Sequence, residues 1–118
     1  MEFALLIYGD EKTWTEATPD EKREMYAQHD RFTKMLQDRG AIRGGGELDA
    51  SSTARTIRHG AGGDVSVTDG PFAETAEQFG GYYVVEAAGI DEAVALGKAV
   101  PGSIVEVRPL VPGPESGS

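Results

Sequence analysis

The first apolar run of the chain, residues 3–8, has no polar position in it. Phe3, Leu5 and Ile7 point one way and Ala4, Leu6 and Tyr8 the other. A strand of that kind belongs in the middle of a sheet and is covered on both sides. Residues 9–14 then leave the sheet as a loop, with Trp14 placed to fold back over an edge or a pocket mouth as packing. After it the period becomes helical. Thr18 can cap, Pro19 fits the first turn and Glu21 stands where a capping box wants an acid. The helix is expected to run to about Arg39, with Gly40 ending it. Met25, His29, Phe32 and Leu36 recur at spacings of four, three and four, so they form one stripe and set His29 in the middle of the buried face. His59, beside a Gly-rich turn, is expected in solvent.

Residues 41–48 read as a strand weakened by Gly44, Gly45 and Gly46. Such a run signals a bulge, a bend, or close approach of a ligand or second backbone. It is no phosphate loop, because no Lys-Ser/Thr follows and no helix opens after it. Residues 53–58 and 64–68 make a hairpin around the turn at 59–63. Residues 72–78 are short and polar, with room for one helical turn, and Tyr82 opens the next strand. Asp91 is expected to cap a second helix through about Val100, with Ile90, Val94 and Gly97 on one side. Gly97 is poor helix material and so marks tight contact with the sheet. In the last strand, residues 104–109, Val105 and Val107 alternate with Glu106 and Arg108.

The stretch from Val65 to Gly81 organises the rest. Val65, Val67 and Asp69 share a face, and the strand stops because Gly70 is flexible and Pro71 lacks an N–H. A carboxylate is thus aimed inward at a strand end, where it needs partners. Two compatible roles are open to it. It can brace the turn by accepting N–H bonds from Phe72 or Ala73, or it can serve a site. In both, Asp69 is expected to be mostly buried.

The skeleton is strand–helix–strand, hairpin, strand–helix–strand. That is an α+β, ferredoxin-like split arrangement with an inserted β-hairpin: an antiparallel sheet with two helices on one face. With 118 residues and 39% hydrophobic content, it suits one domain over residues 1–110, followed by a flexible tail at 111–118. Two helices cover one face, yet the first strand is apolar on both. A second copy of the sheet is the economical cover, so a homodimer is expected. The absence of cysteine excludes disulfides and thiolate metal sites and favours a reducing compartment. A net charge of −9 argues against nucleic acid as a direct partner. The opening apolar run is too short to span a bilayer. A cytoplasmic protein with no membrane partner is expected.

Asp69-Gly70-Pro71-Phe72, followed by Ala73-Glu74-Thr75 and Gly80-Gly81, resembles the signature of the YCII-related, DGPF-motif proteins. The opening Leu5-Leu6-Ile7-Tyr8-Gly9-Asp10 and the closing Val105-Glu106-Val107-Arg108-Pro109 are similar to that family too. The resemblance implies a domain that dimerises face to face as a dimeric α+β barrel. It also implies active-site roles for a histidine on the first helix, here His29, and an aspartate near the sheet, here Asp69. DGPF proteins are often encoded near extracytoplasmic-function sigma factors, or fused to them.

Two readings of function follow. In the first, the chain is a cofactor-independent acid–base enzyme, a lyase, isomerase or hydrolase of small organic molecules. His29 shuttles the proton, Asp69 orients it, and Tyr8 and Glu74 line the substrate site. No metal and no cofactor are expected, since of two histidines one is expected in solvent; the absence of a nucleophile elbow or metal triad counts against this reading. In the second, the chain is a non-catalytic ligand-binding or regulatory homodimer in which His29 and Asp69 form a structural polar pair.

Overall fold

The computed structural model of the protein describes residues 1–113. β1 (Glu2–Gly9) leads through a short helix α1 (Glu11–Thr15) into α2 (Pro19–Asp38) and β2 (Ile42–Glu47). The hairpin β3 (Arg55–His59) and β4 (Val65–Asp69) follows, then β5 (Gln78–Glu86), α3 (Ile90–Ala99) and β6 (Ile104–Pro109). The main sheet has the order β2-β5-β1-β6 with every pair antiparallel, and β3–β4 form a sheet of their own. This is the expected α+β, ferredoxin-like arrangement with its inserted hairpin. β1 sits inside the sheet, as its doubly apolar pattern requires. The expected tail from residue 111 lies largely outside the described residues. Among the described residues no helix is long and apolar enough to cross a membrane.

Helix α2 begins with the full capping box. Thr18 Oγ1 accepts from the Glu21 N–H at 3.1 Å, and the Glu21 carboxylate accepts from the Thr18 N–H at 2.8 Å. Gly40, at φ +63°, turns the chain out of the helix in a conformation that favours glycine. Three local expectations change. Residues 11–15 coil into α1 because the Asp10 carboxylate accepts from the Lys12 N–H. Residues 70–77 hold no helical turn, and β5 starts at Gln78 because β1 pairs with it from there. Helix α3 starts at Ile90 from Gly89, without a side-chain cap, and Asp91 stands in its first turn, where its charge suits the helix dipole.

The buried side of α3 also differs from the pattern read in the sequence. Ala93, Leu96 and Gly97 face the sheet, while Ile90 and Val94 are exposed. The small residues decide this, because they let the helix axis come close. A Cβ on Gly97 would stand 2.9 Å from Val107 Cγ2. Phe3 and Leu5 of β1, Val85 of β5, Phe32 and Leu36 of α2 and Leu96 of α3 fill the core between sheet and helices.

The opposite face of the sheet has no layer over it. Leu6 lies between Tyr82 and Glu106, Ala4 between Val84 and Arg108, and Tyr8 between Phe79 and Ile104. The molecule is accordingly thin, 47 × 47 × 18 Å. Its radius of gyration is 16.7 Å, against about 13.5 Å for a compact chain of this length. The β3–β4 hairpin pairs with no strand of the main sheet and lies within that 18 Å thickness.

Gly97→Ala should destabilise the protein. Overpacking typically costs about 1–3 kcal/mol, and the helix propensity gained is about 1 kcal/mol. A lowered denaturant midpoint at unchanged slope is the expected result, and a raised midpoint would count against the close approach.

Candidate active site around His29

His29 lies at the middle of α2, on the side facing the sheet and half-buried. Its Nδ1 is 2.7 Å from the hydroxyl of Tyr83 on β5, and the two rings lie nearly parallel, 5.9 Å between centroids. Phe32, one turn along the helix, meets the other flank of Tyr83 edge-on at 4.9 Å. Tyr83 is therefore held between a core ring and the imidazole.

The glycines of β2 make room for this. Gly45 pairs with Tyr83 across the strands, and a Cβ there would stand 3.3 Å from the Tyr83 ring and 2.9 Å from the Tyr82 carbonyl oxygen. The run of three glycines thus combines a register shift, between Ile42 and Gly44, with close approach of the neighbouring strand. Two residues beyond Gly45 the same face presents Glu47. Its carboxylate accepts from the Tyr26 hydroxyl, 3.1 Å from each oxygen. Trp14 stands edge-on to Tyr26 at 5.4 Å with the Lys22 ammonium over its ring. Trp14 therefore packs, as expected, against the Tyr26 ring that bonds the Glu47 carboxylate.

Burial holds the His29 imidazole below its ordinary pKa, while the charges of Glu47 and Asp30 pull it upward. The phenol of Tyr83 is raised, first by burial and also by Asp30, with the Thr33 side chain acting the other way. At neutral pH the pair is therefore a neutral imidazole against a neutral phenol. No buried side-chain nitrogen or oxygen among the described residues lacks a partner. Nε2 of His29 makes no hydrogen bond and so reaches solvent.

Asp69 requires a correction. It is the last residue of β4, on the face shared with Val65 and Val67 as expected, but that face is open and the side chain is 88% exposed. Its partner is Arg55, opposite it on β3, with Nε at 3.1 Å. An exposed pair of this kind contributes about 0–1 kcal/mol. The turn after it is braced by other groups: the Gly70 N–H donates to the Ala54 carbonyl, Thr56 donates to the Gly70 carbonyl, and Arg58 to that of Phe72. Neither Phe72 nor Ala73 donates to Asp69. No hydrogen bond or ion pair joins His29 to Asp69 within the chain. The group that orients the histidine is Tyr83.

The two expected substrate-lining residues are elsewhere as well. Tyr8 projects from the uncovered face of the sheet, where it donates to Glu106 Oε1 at 3.4 Å and meets the Phe79 ring at 5.5 Å. A sheet thus separates it from His29, which lies on the helix side. Glu74 is exposed in the segment between β4 and β5. Sequence reading passed over Tyr83, Glu47 and Tyr26. The parity of Gly45 and Glu47 on one face of β2 was the available signal, but it needed the β2–β5 register to become legible. On the far flank of α2 a shallow cavity of about 390 Å³ opens between Gln28, Arg31, Phe32, Met35, Ala99 and Pro101. None of the four expected site residues lines it.

Fold and site together define a ferredoxin-like α+β domain with an exposed inserted hairpin and a histidine–tyrosine pair under its first long helix. The chain belongs to the YCII-related domain family, whose model matches residues 1–112. It is similar to an uncharacterised protein of Rhizobium meliloti (strain 1021), 34% identical over 115 residues that cover 93% of this chain and 92% of that one.

The lowered pKa of His29 has a consequence for stability. The folded chain binds this proton less readily than the unfolded chain, so the contribution is full above the ordinary value of 6.5. It falls as pH drops from there through the folded-state pKa. Glu21, lowered by the Thr18 N–H, and Glu86, lowered by the N-terminal ammonium, titrate below 4.5 and do not overlap that window. Urea unfolding of the wild type should therefore weaken on acidification from about pH 7 to about pH 5, and His29→Gln should flatten that segment. Equal slopes in the two proteins would show that His29 titrates normally.

Proposed function

We propose that the chain is a cofactor-independent acid–base enzyme acting on a small organic molecule as a homodimer, with His29 as its proton-transfer group. The observation that carries this reading is the 2.7 Å bond between His29 Nδ1 and Tyr83. With Nδ1–H donating to the phenol oxygen, the ring is held in one tautomer and the lone pair of Nε2 faces solvent. Depression of the pKa by burial keeps that nitrogen unprotonated at neutral pH, as a general base requires. When Nε2 takes a proton from the substrate, Glu47 and Asp30 stabilise the imidazolium formed. The same proton can then return to another atom of the substrate, which is the chemistry of an isomerase or a lyase. Positioned acid–base groups contribute typically ~10²–10⁴-fold in rate.

Dimerisation is supported by the uncovered apolar face that Ala4, Leu6, Tyr8, Tyr82 and Val84 present. A second copy laid on it face to face removes these groups from water, and closed two-fold symmetry is the commonest way for a chain to bury such a face. A second reading, a non-catalytic ligand-binding dimer, is favoured by one observation. The carboxylate of Asp69 is engaged by Arg55, which leaves the histidine without a carboxylate in direct contact.

Sedimentation is expected to show a dimer at micromolar concentration. In a panel of small carbon acids and lactones, turnover should rise with pH through the His29 pKa and fall at least ~10²-fold in His29→Gln. Tyr83→Phe should lower it less and shift the pH profile. Ligand binding without turnover, unchanged by His29→Gln, would establish the second reading.

A further inference from the structure

The hairpin is the part of the molecule that the site does not use and the core does not cover. Its register places Ile57 opposite Val67 and His59 opposite Val65, so one face carries the stripe Ile57, Val65 and Val67. These three are 58, 58 and 62% exposed. A two-stranded hairpin with a bare apolar face is marginally stable in water. The root of this one is nevertheless built firmly. Gly70 adopts φ +92°, which favours glycine, and the backbone of the Asp-Gly-Pro-Phe turn is tied to Ala54, Thr56 and Arg58. At the other side of the root, Glu11 of α1 accepts from both the N–H and the hydroxyl of Ser51.

A second bare apolar surface lies at the same end of the molecule. The uncovered sheet face ends there in Tyr8, Phe79 and Ile104, which pair across β1, β5 and β6. Phe79 and Ile104 are exposed. The hairpin of the same chain does not cover them, since sheet and helices together already account for the 18 Å thickness.

We infer that the hairpin is a dimerisation arm, the Ile57–Val65–Val67 stripe of each subunit closing over the Tyr8–Phe79–Ile104 corner of its partner. The inference rests on the face-to-face homodimer proposed above and adds the arm to it. A two-fold axis along the strands, between β5 and β1, lays β2 of one copy over β6 of the other and keeps the same strand ends together. The arm leaves the sheet after β2, so it arrives over the partner's β6 and β1, where Ile104 and Tyr8 stand. Each copy then satisfies both bare surfaces of the other, as an isologous contact requires. Two copies of net charge −9 repel, but the contact itself brings no net charge together: over residues 55–69 Arg55 and Arg58 balance Asp64 and Asp69, and Glu106 of the corner is paired with Arg108.

The protein has no cysteine, so cross-linking between subunits can be read without background. Val67→Cys and Ile104→Cys are made in separate chains, mixed through a reversible dissociation step and treated with a short bismaleimide. One chain carries a mass tag. The mixed, tagged–untagged product is expected, and only contact between subunits can form it. In parallel, Ile57→Ser with Val67→Ser, both exposed in the single chain, should raise the dimer dissociation constant at least tenfold with unchanged circular dichroism. A dimer of wild-type strength that gives no mixed product overturns the arm and leaves the dimer of sheets standing. A monomeric wild type overturns both.

Discussion

One constraint shapes the whole molecule: a four-stranded sheet whose central strand is apolar on both faces has helices on only one of them. Phe3 and Leu5 are sealed beneath α2 and α3, while Ala4, Leu6 and Tyr8 of the same strand face outward. Burial of apolar area is the main favourable contribution to folding, so the chain has used half of what β1 offers. The other half is available for association.

The helix side shows how packing turns into chemistry. Glycines at two places let elements come closer than side chains would permit. Gly97 brings α3 down onto Val107 and so draws the core tight. Gly45 leaves space for the Tyr83 ring, which in turn meets His29 at hydrogen-bond distance. The environment of that imidazole is half apolar ring and half acidic edge, with burial lowering its pKa and Glu47 and Asp30 opposing. Such opposed influences keep a histidine neutral yet ready to accept charge.

The Asp-Gly-Pro-Phe segment has a different job from the one its composition advertised. Its aspartate pairs with an arginine across a hairpin, its glycine makes the left-handed turn, and two of its carbonyls accept from β3. It ties the end of β4 back to β3 at the root of the hairpin. Of the features that made Asp69 resemble a site residue, the face shared with the valines and the stiff turn are present, but that face is open and not inward. Within the chain they describe an exposed face of the hairpin, and not its interior.

Much of the fold was legible residue by residue. The capping box at Thr18, the left-handed exit at Gly40, the central place of β1, the hairpin and the close contact at Gly97 all follow from local chemistry or from a period of two or near 3.6. Local rules read less well where neighbours compete. On α3 Leu96 faces the sheet together with Ala93 and Gly97, while Ile90 and Val94 stay exposed, because the small residues set which side of the helix can come close. For the site, the sequence was enough to put His29 on the inner side of its helix. It was silent on the partner, since Tyr83 lies 54 positions away and meets the histidine only through the β2–β5 register and the gap left by Gly45. Spacing along the chain determines which face a residue takes; which residues then meet across the layers depends on strand order and axis separation, and only the tertiary structure decides those.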